Sequence, residues 1–231
     1  AAAGGGAGGG GGGGGASSDA TYVQVMKELQ YDEVDELGGY HFRSAADAPS
    51  NRGAQPHRVR RRAQEHADLS ISLPLTASAS AWARAHSERM DCLQVIISGP
   101  EDTPYSAGLF LFDVFFPAAY PTQSPKVNLQ TTGNNTVRFN PNLYNCGKVC
   151  LSLLGTWQGD QGESWHAKTS TLLQVLMSIQ ALILVPDPFF NEPGYERVRN
   201  TPEGGSQSRA YNEGLREGTV RYAMIGQIKS P

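Results

Sequence analysis

Three strand-like segments joined by short connections constrain the fold of this chain more than any other feature. Residues 93–97 and 127–131 alternate apolar with partly polar side chains, and the segment LFLFDVFF between them is apolar on both faces, as a central strand is. The connections GPEDTPYSAG and PAAYPTQSP are rich in turn residues. Because parallel neighbours need a crossover of a dozen or more residues, these connections predict an antiparallel meander. A weaker segment, Ser80 to Arg84, supplies a fourth strand.

A basic helix is predicted before the strands, from Pro56 to Leu69. Pro56 suits the first helical turn, and Val59, Ala63 and Ala67 repeat every fourth residue on one face. The helices of the domain are expected to pack on a small sheet. Four arginines crowd the first two turns of this helix: Arg58, Arg60, Arg61 and Arg62.

Two further helices are predicted after the strands. Residues 169–185 are apolar around most of a helix circumference, which predicts a buried helix that Thr169 or Ser170 caps and Pro186 stops. Residues 206–228 carry an amphipathic stripe. The sequence therefore predicts an α+β fold: a four-stranded antiparallel sheet with an N-terminal helix, a central buried helix and C-terminal helices.

The segments before the basic helix differ from the rest of the chain. Residues 1–16 are only Ala and Gly, without an initiator Met, and indicate a low-complexity leader or a piece cut from a longer protein. Residues 17–56 are interpreted as an N-terminal arm and linker: aromatic residues in 21–42 are expected to pack on the domain or a partner, whereas 44–56 is rich in helix breakers. The main domain is predicted over 57–231.

Composition limits the class of partner. The net charge is −3, which favours neither nucleic acid nor an anionic membrane, and no apolar stretch is long enough to span a bilayer. Three cysteines fit no secreted disulfide framework, and no signal peptide is visible. We therefore expect a reducing cytoplasmic or nuclear setting, with no cofactor, no metal, and neither nucleic acid nor membrane as a partner.

Two cysteines, Cys146 and Cys150, lie close together in the segment VRFNPNLYNCGKVCLSLLGTW. A zinc site needs about four ligands, and Cys92 and the five scattered histidines do not supply the rest. A redox couple normally has a two-residue spacer between its cysteines, whereas three residues separate this pair. A cysteine hydrolase needs a histidine base; none lies close in sequence, although His166 could come near in space. The remaining alternative is that both cysteines are small buried apolar residues.

The surroundings of Cys150 favour a chemical role. It follows Asn142 by eight residues, and a loop that leaves and re-enters the core over that distance can bring the Asn142 amide beside the thiol. An amide N–H is a neutral donor to a tetrahedral oxyanion. A thiol with an amide donor and no nearby base suits a carrier that holds a thioester without hydrolysing it.

Five separated blocks occur in an order typical of one family: GPEDTPYSAGLFLFDVFFPAAYP, SPKV, RFNPN, GKVCLSLL and, after Trp165, VLMSIQALI. From about Arg58 onward the chain resembles the ubiquitin-conjugating enzymes. The blocks NPNLYN, LVPDPFFNEPGYER and YVQVMKELQYDE are most similar to the conjugating domains of giant inhibitor-of-apoptosis hybrid ubiquitin enzymes.

This resemblance implies an acyl transfer that uses ubiquitin, the ubiquitin-activating enzyme, protein substrates and a ubiquitin ligase as partners. It implies that Cys150 carries the ubiquitin carboxyl as a thioester and that Asn142 supports the loop and the oxyanion. Asp187 and Glu192 match acids that position or deprotonate the incoming lysine. The residues matching the helix that docks the activating enzyme are Arg60, Arg61 and Arg62.

The chain departs from the family pattern at four places. Asn140 replaces the usual His, so an amide must rebuild the hydrogen bonds of that turn, and Ser152 replaces a common Asp. Thr122 replaces a Phe that many members present to RING-type ligases, and the link at 155–164 is longer than the minimum. The last two differences put ordinary RING-ligase docking in doubt.

Two rival functions stay open: a catalytically silent ubiquitin-binding variant and a carrier of another ubiquitin-like modifier. Each candidate residue also has a simpler interpretation. The arginines can form a solvated helix face, Asp187 and Glu192 can be loop acids, and Asn142 can be a turn former.

Overall fold

A computed structural model describes residues 14–51, 56–157 and 163–229, with side chains described from residue 19. One five-stranded sheet runs through it in the spatial order β1-β2-β3-β4-β5. The strands are β1 (Tyr31–Val34), β2 (Ala81–His86), β3 (Arg89–Ser98), β4 (Leu109–Phe115) and β5 (Lys126–Leu129).

The α-helices precede and follow the antiparallel strands. They are α1 (Gly14–Lys27), α2 (Arg43–Asp47), α3 (Pro56–Ser72), α4 (Leu172–Ser178), α5 (Pro202–Gly218) and α6 (Gly226–Lys229). Two π-helical segments, Ile179–Ile183 and Thr219–Ile225, continue α4 and join α5 to α6. Short 3₁₀ turns complete the helical set: Pro49–Asn51, Ser152–Leu154, Pro188–Asn191 and Tyr195–Val198. No helix within the described ranges combines the length and apolar character that crossing a bilayer requires.

The predicted antiparallel meander is confirmed over β2 to β5. Its register aligns Ala83, Val95, Phe112 and Leu129 in one row, and all four side chains are buried. Side chains that are directly opposite share a face of the sheet. This row is therefore the floor of the core on which α3 and α4 lie.

The predicted strand count was one too low. β1 pairs in parallel with β2, with Tyr31 opposite Ala83 and Val34 opposite His86. The segment is only four residues long and holds two exposed acids, Asp32 and Glu33, so its sequence carries no clear alternation. Its pairing depends on a chain crossover that includes α3, which local patterns do not reveal.

The N-terminal arm covers the outer face of the sheet. Leu37 and Tyr40 are buried against Cys92 and Phe115 in a second apolar cluster. The Tyr40 hydroxyl donates a hydrogen bond of 2.6 Å to the Val114 carbonyl. The prediction that residues 21–42 pack on the domain is therefore confirmed.

The predicted linker, residues 44–56, is ordered where it is described. It forms α2 and the turn Pro49–Asn51, and Ala46 and Asn51 are buried. Residues 52–55 and the leader residues 1–13 lie outside the described residues. The domain boundary at residue 57 stays a prediction.

The prediction that α3 packs through its apolar face was wrong. Val59, Ala63 and Ala67 are exposed. The buried side chains of this helix are mostly ionisable or polar: Arg58, Glu65, His66 and Leu69.

Paired charges explain why the polar face of α3 is buried. Glu65 is 1% exposed and accepts hydrogen bonds from the Tyr120 hydroxyl, from Arg61 Nε at 2.9 Å and from the Leu172 N–H at 2.8 Å. A buried charge with several donors is tolerated, whereas one without partners is not. Glu65 thereby joins α3 to the start of α4.

The buried helix predicted near residues 169–185 is confirmed, but its cap is Thr171. The Thr171 hydroxyl accepts from the Gln174 N–H, and the Gln174 side chain accepts from the Thr171 N–H, forming a capping box. Ser170, one of the two predicted caps, instead accepts a hydrogen bond from the His166 N–H. The predicted α+β architecture is correct, with one extra parallel strand.

Candidate active site

Cys150 lies at the end of a small hairpin that follows β5. Leu143 bridges to Val149, and the Tyr144 N–H donates to the Lys148 carbonyl at 3.0 Å. The turn closes at Gly147, whose φ of 85° favours glycine; a Cβ there would also lie 2.5 Å from the Asn128 side chain. The hairpin is therefore held to the edge of the sheet.

Asn142 and Cys150 face each other across this hairpin. The Cys150 N–H donates to the Asn142 carbonyl at 2.9 Å, and Asn142 Nδ2 donates to the Cys150 carbonyl at 3.0 Å. Both residues line a cleft of about 230 Å³ together with Trp157, Leu182 and Asn191. The structure thus brings the predicted thiol and amide into one cleft.

Asn140, at the family's His position, is fully buried and fixes the turn before Asn142. Its Nδ2 donates to the Ile183 carbonyl at 2.8 Å and to the Tyr105 hydroxyl at 3.3 Å. Its Oδ1 accepts from the Asn142 N–H at 2.8 Å and from Asn191 Nδ2 at 3.3 Å. An amide therefore rebuilds the turn, as the sequence predicted, and ties it to the loop after α4.

The environment of the Cys150 thiol has two opposing effects on its ionisation. The residue is 2% exposed, and burial raises the thiol pKa because it disfavours the thiolate. The positive charges of Lys148 and Arg138 act in the opposite direction. Both cations also lie near the Tyr144 ring, with Arg138 Cζ 4.4 Å from its centroid.

The two predicted acids lie on the loop after α4 and outside the lining of the Cys150 cleft. Glu192 Oε2 is 3.5 Å from Arg138 Nη2, and that guanidinium also donates to the Pro141 carbonyl at 2.7 Å. Asp187 accepts a hydrogen bond of 2.8 Å from the Ser208 hydroxyl in α5. Glu192 is therefore linked directly to the hairpin, and Asp187 to the C-terminal helix.

Sequence reasoning did not identify Arg138, Asn191 or Trp157 as site residues. Arg138 joins the hairpin to the acidic loop, and the other two line the cleft. Arg138 is the first residue of the motif RFNPN, two positions before Asn140, and Asn191 directly precedes Glu192, so membership of these motifs was the available signal.

The other cysteines occupy different environments. Cys92 is buried under the N-terminal arm, and burial raises its pKa to about 11. Cys146 is exposed near the tip of the hairpin. Across the residues that the structure describes, no cluster of three or more histidine, cysteine or carboxylate side chains forms a metal site.

The three arginines predicted to dock the activating enzyme differ in their exposure and in their partners. Arg60 is exposed, whereas Arg61 pairs with buried Glu65 and also donates to the Ser170 carbonyl. Arg62 is 11% exposed and lies 3.8 Å from the buried Asp91. Of these three arginines, Arg60 is therefore the one with a freely presented charge.

The remaining departures from the family pattern are at Ser152, at Thr122 and in the link 155–164. The Ser152 hydroxyl donates to Glu163 Oε2 at 3.2 Å, and Thr122 is exposed. Within the long link 155–164, residues 158–162 lie outside the described residues. Trp165 beyond it donates to the Pro121 carbonyl at 2.7 Å.

Comparisons with known proteins show the family of this chain. The family model described as "Ubiquitin-conjugating enzyme" matches residues 61–204. The human protein named dual E2 ubiquitin-conjugating enzyme/E3 ubiquitin-protein ligase BIRC6 is 51% identical over 226 residues, which cover 93% of this chain and 5% of that protein. The mouse protein of the same name is 50% identical over the same shares.

A nematode relative is also named as a ubiquitin-conjugating enzyme. A Caenorhabditis elegans protein named probable ubiquitin-conjugating enzyme protein 17 is 46% identical, over 92% of this chain and 30% of its own length. The chain spans only about 5% of the mammalian relatives, and the resemblance of its sequence to the giant hybrid enzymes is confirmed. These matches establish that the chain belongs to the ubiquitin-conjugating enzyme family.

Proposed function

We propose that this domain accepts the carboxyl end of ubiquitin as a thioester on Cys150 and passes it to a lysine of a protein substrate. The observation that carries this proposal is the reciprocal pairing of Asn142 and Cys150 at one cleft. Cys92 lies beneath the arm and Cys146 stands near the hairpin tip, so neither shares this amide neighbour.

Loading is an exchange of one thioester for another. The Cys150 thiolate attacks the carbonyl carbon of the thioester on the activating enzyme, a new C–S bond forms, and the enzyme's thiol leaves and takes up a proton. Lys148 and Arg138 favour the thiolate that starts this step. An ordinary thiol with a pKa near 8.5 is only a few per cent ionised at pH 7, and burial raises the pKa of Cys150 further, so loading proceeds through a minor thiolate population that Lys148 and Arg138 help to maintain.

Transfer to lysine makes greater demands. A lysine amine with a pKa near 10.4 arrives protonated and must lose a proton before it attacks. Its nitrogen then bonds to the carbonyl carbon, the C–S bond breaks, and Cys150 leaves as thiolate. Glu192 receives or attracts the amine proton, and Asp187 supports the loop through Ser208.

Asn142 stabilises the oxyanion that forms during transfer. Its amide nitrogen carries two N–H donors, and one already holds the Cys150 carbonyl. The second N–H is therefore free to donate when charge develops on the acyl oxygen. Loss of one such donor typically slows a reaction by roughly 10²–10³-fold.

The partners follow from the family. The activating enzyme docks on the exposed side of α3 that carries Arg60, where a positive charge steers association. Protein substrates supply the lysine. Because the mammalian relatives are named dual conjugating enzymes and ligases, we place this domain in a hybrid protein of that kind, acting with its own ligase function or with a separate ligase.

The test is incubation of the chain with ATP, an activating enzyme and each ubiquitin-like modifier together with its own activating enzyme. We expect a ubiquitin adduct that a reducing thiol removes. An adduct only with another modifier would favour the alternative carrier. Absence of any adduct on a folded chain that still binds ubiquitin would favour the silent variant.

A further inference from the structure

A groove of about 580 Å³ lies between the loop after α4 and helix α5. We call it the aromatic groove, because three of its lining residues are aromatic. Its main lining residues are Phe189, Tyr195, Val198, Glu203, Ala210 and Tyr211.

The rings of the aromatic groove form one cluster. Phe189 is central, with its ring centroid 4.7 Å from that of Tyr195 and 6.0 Å from that of Tyr211. Tyr195 is 44% exposed, which is high for an aromatic side chain. Aromatic faces carry negative potential and attract cations. Glu203, in the first turn of α5, is the charged side chain among the lining residues.

The ring of Phe190, which contacts the groove residue Phe189, already has a guanidinium group of this chain over its face. Arg199 Cζ lies 4.7 Å from the Phe190 centroid. In the hairpin, Arg138 Cζ lies 4.4 Å from the Tyr144 centroid in the same way. In the described part of the chain, no such cation lies over the rings of Phe189, Tyr195 or Tyr211. The aromatic groove therefore offers rings and an acid to a cation from outside.

The aromatic groove adjoins the Cys150 cleft. Phe189 lines the groove and Asn191 lines the cleft, and both belong to the single turn Pro188–Asn191. Two residues span at most about 7 Å. Burial raises the pKa of Tyr211; the charge of Arg138 acts to lower this pKa, and the charge of Glu192 acts to raise it. A peptide with its lysine in the cleft thus reaches the groove within a few residues.

We propose that the aromatic groove binds a basic side chain of the acceptor protein while a neighbouring lysine enters the Cys150 cleft. This inference rests on the proposed function and adds a substrate class to it: acceptors with an arginine or a second lysine near the modified lysine. A groove of this volume admits the long side chain together with flanking backbone.

The test uses the preformed Cys150 thioester and peptides with one lysine and one arginine at varied spacing. Matched peptides carry citrulline, which keeps the shape of arginine without its charge. At one spacing or more, we expect a kcat/KM about three- to tenfold higher for the arginine peptide, through KM. Tyr195→Leu and Glu203→Gln should each remove most of that preference. Glu213→Gln, an exposed acid of the same helix outside the groove lining, is the matched control and should keep it.

Free lysine is too small to use the aromatic groove, so its rate should be the same in all these variants. Equal rates with arginine and citrulline peptides at every spacing would overturn the inference. So would an arginine preference that survives both groove substitutions. A chain that forms no thioester, or none that free lysine discharges, contradicts the proposed function itself, and the inference falls with it.

Discussion

Replacement of Asn140 by leucine tests how the turn before the cleft is held. Leucine has the same branched arrangement of four side-chain heavy atoms but cannot form the two hydrogen bonds of 2.8 Å that Asn140 makes to the Ile183 carbonyl and the Asn142 N–H. Asn140 is fully buried, so water does not readily replace those bonds. Each backbone group left unpaired costs about 1–3 kcal/mol. Part of this is offset by burying an apolar side chain, and we expect a net loss of about 3 kcal/mol.

The assay is urea unfolding at neutral pH, followed by thermal unfolding. A loss of about 3 kcal/mol should lower Tm by about 6–12 °C in a chain of this size. Asn145→Ala is the control: it removes one hydrogen bond of 2.9 Å at an exposed site of the same hairpin and should cost about 0.5 kcal/mol or less. If Asn140→Leu is as stable as the control and loads ubiquitin normally, the buried amide does not hold the turn.

Three further predictions concern docking, transfer and pH. Arg60→Glu should slow loading at low salt and leave the free energy of unfolding in urea unchanged. Arg62→Glu should destabilise the fold, because Arg62 faces buried Asp91. A loading rate that Arg60→Glu does not change at low salt would refute the docking role. Asn142→Ala and Glu192→Ala should load ubiquitin nearly normally but discharge it slowly to free lysine. The measurement is a single-turnover chase of the preformed thioester with lysine or with a small thiol. Equal slowing with both nucleophiles would refute a specific role in aminolysis. Burial lowers the pKa of His66, so the folded state resists its protonation. The free energy of unfolding should therefore fall as pH drops below about 6.5, and the slope should be smaller in His66→Phe; an unchanged slope would refute this linkage.

Much of the sheet was predictable because its signals are local. The segments of β2 to β5 alternate or are uniformly apolar, and short connections decide their pairing. β1 was missed because Tyr31–Val34 is short, half acidic and paired with a strand about fifty residues away. Its place depends on α3 and the arm, which no local pattern describes.

The face of α3 could not be predicted from apolar periodicity. That method assigns burial to Val59, whereas Glu65 is buried because Tyr120, Arg61 and the Leu172 N–H converge on it. These donors come from three separate segments, two of them distant in sequence. A charge is buried when such partners are assembled by the tertiary fold, and the helix sequence alone does not contain that information.

The candidate site was predictable where its parts share one loop. Asn142 and Cys150 lie eight residues apart in a hairpin, so spacing alone suggested their contact, and the structure forms it. Arg138 was not found because its partner Glu192 is 54 residues away. Glu192 came from the family pattern, and only the fold gives it this neighbour.

The most direct test of the central claim is identification of the residue that carries ubiquitin. Cys150→Ser and Cys146→Ser variants are incubated with ATP, activating enzyme and ubiquitin, and the adducts are analysed by intact mass and peptide mapping. We predict that Cys146→Ser forms a thioester that a reducing thiol removes, whereas Cys150→Ser forms only an oxyester that resists the thiol and maps to position 150. Normal thioester formation by Cys150→Ser, with loss of charging in Cys146→Ser, would contradict the account.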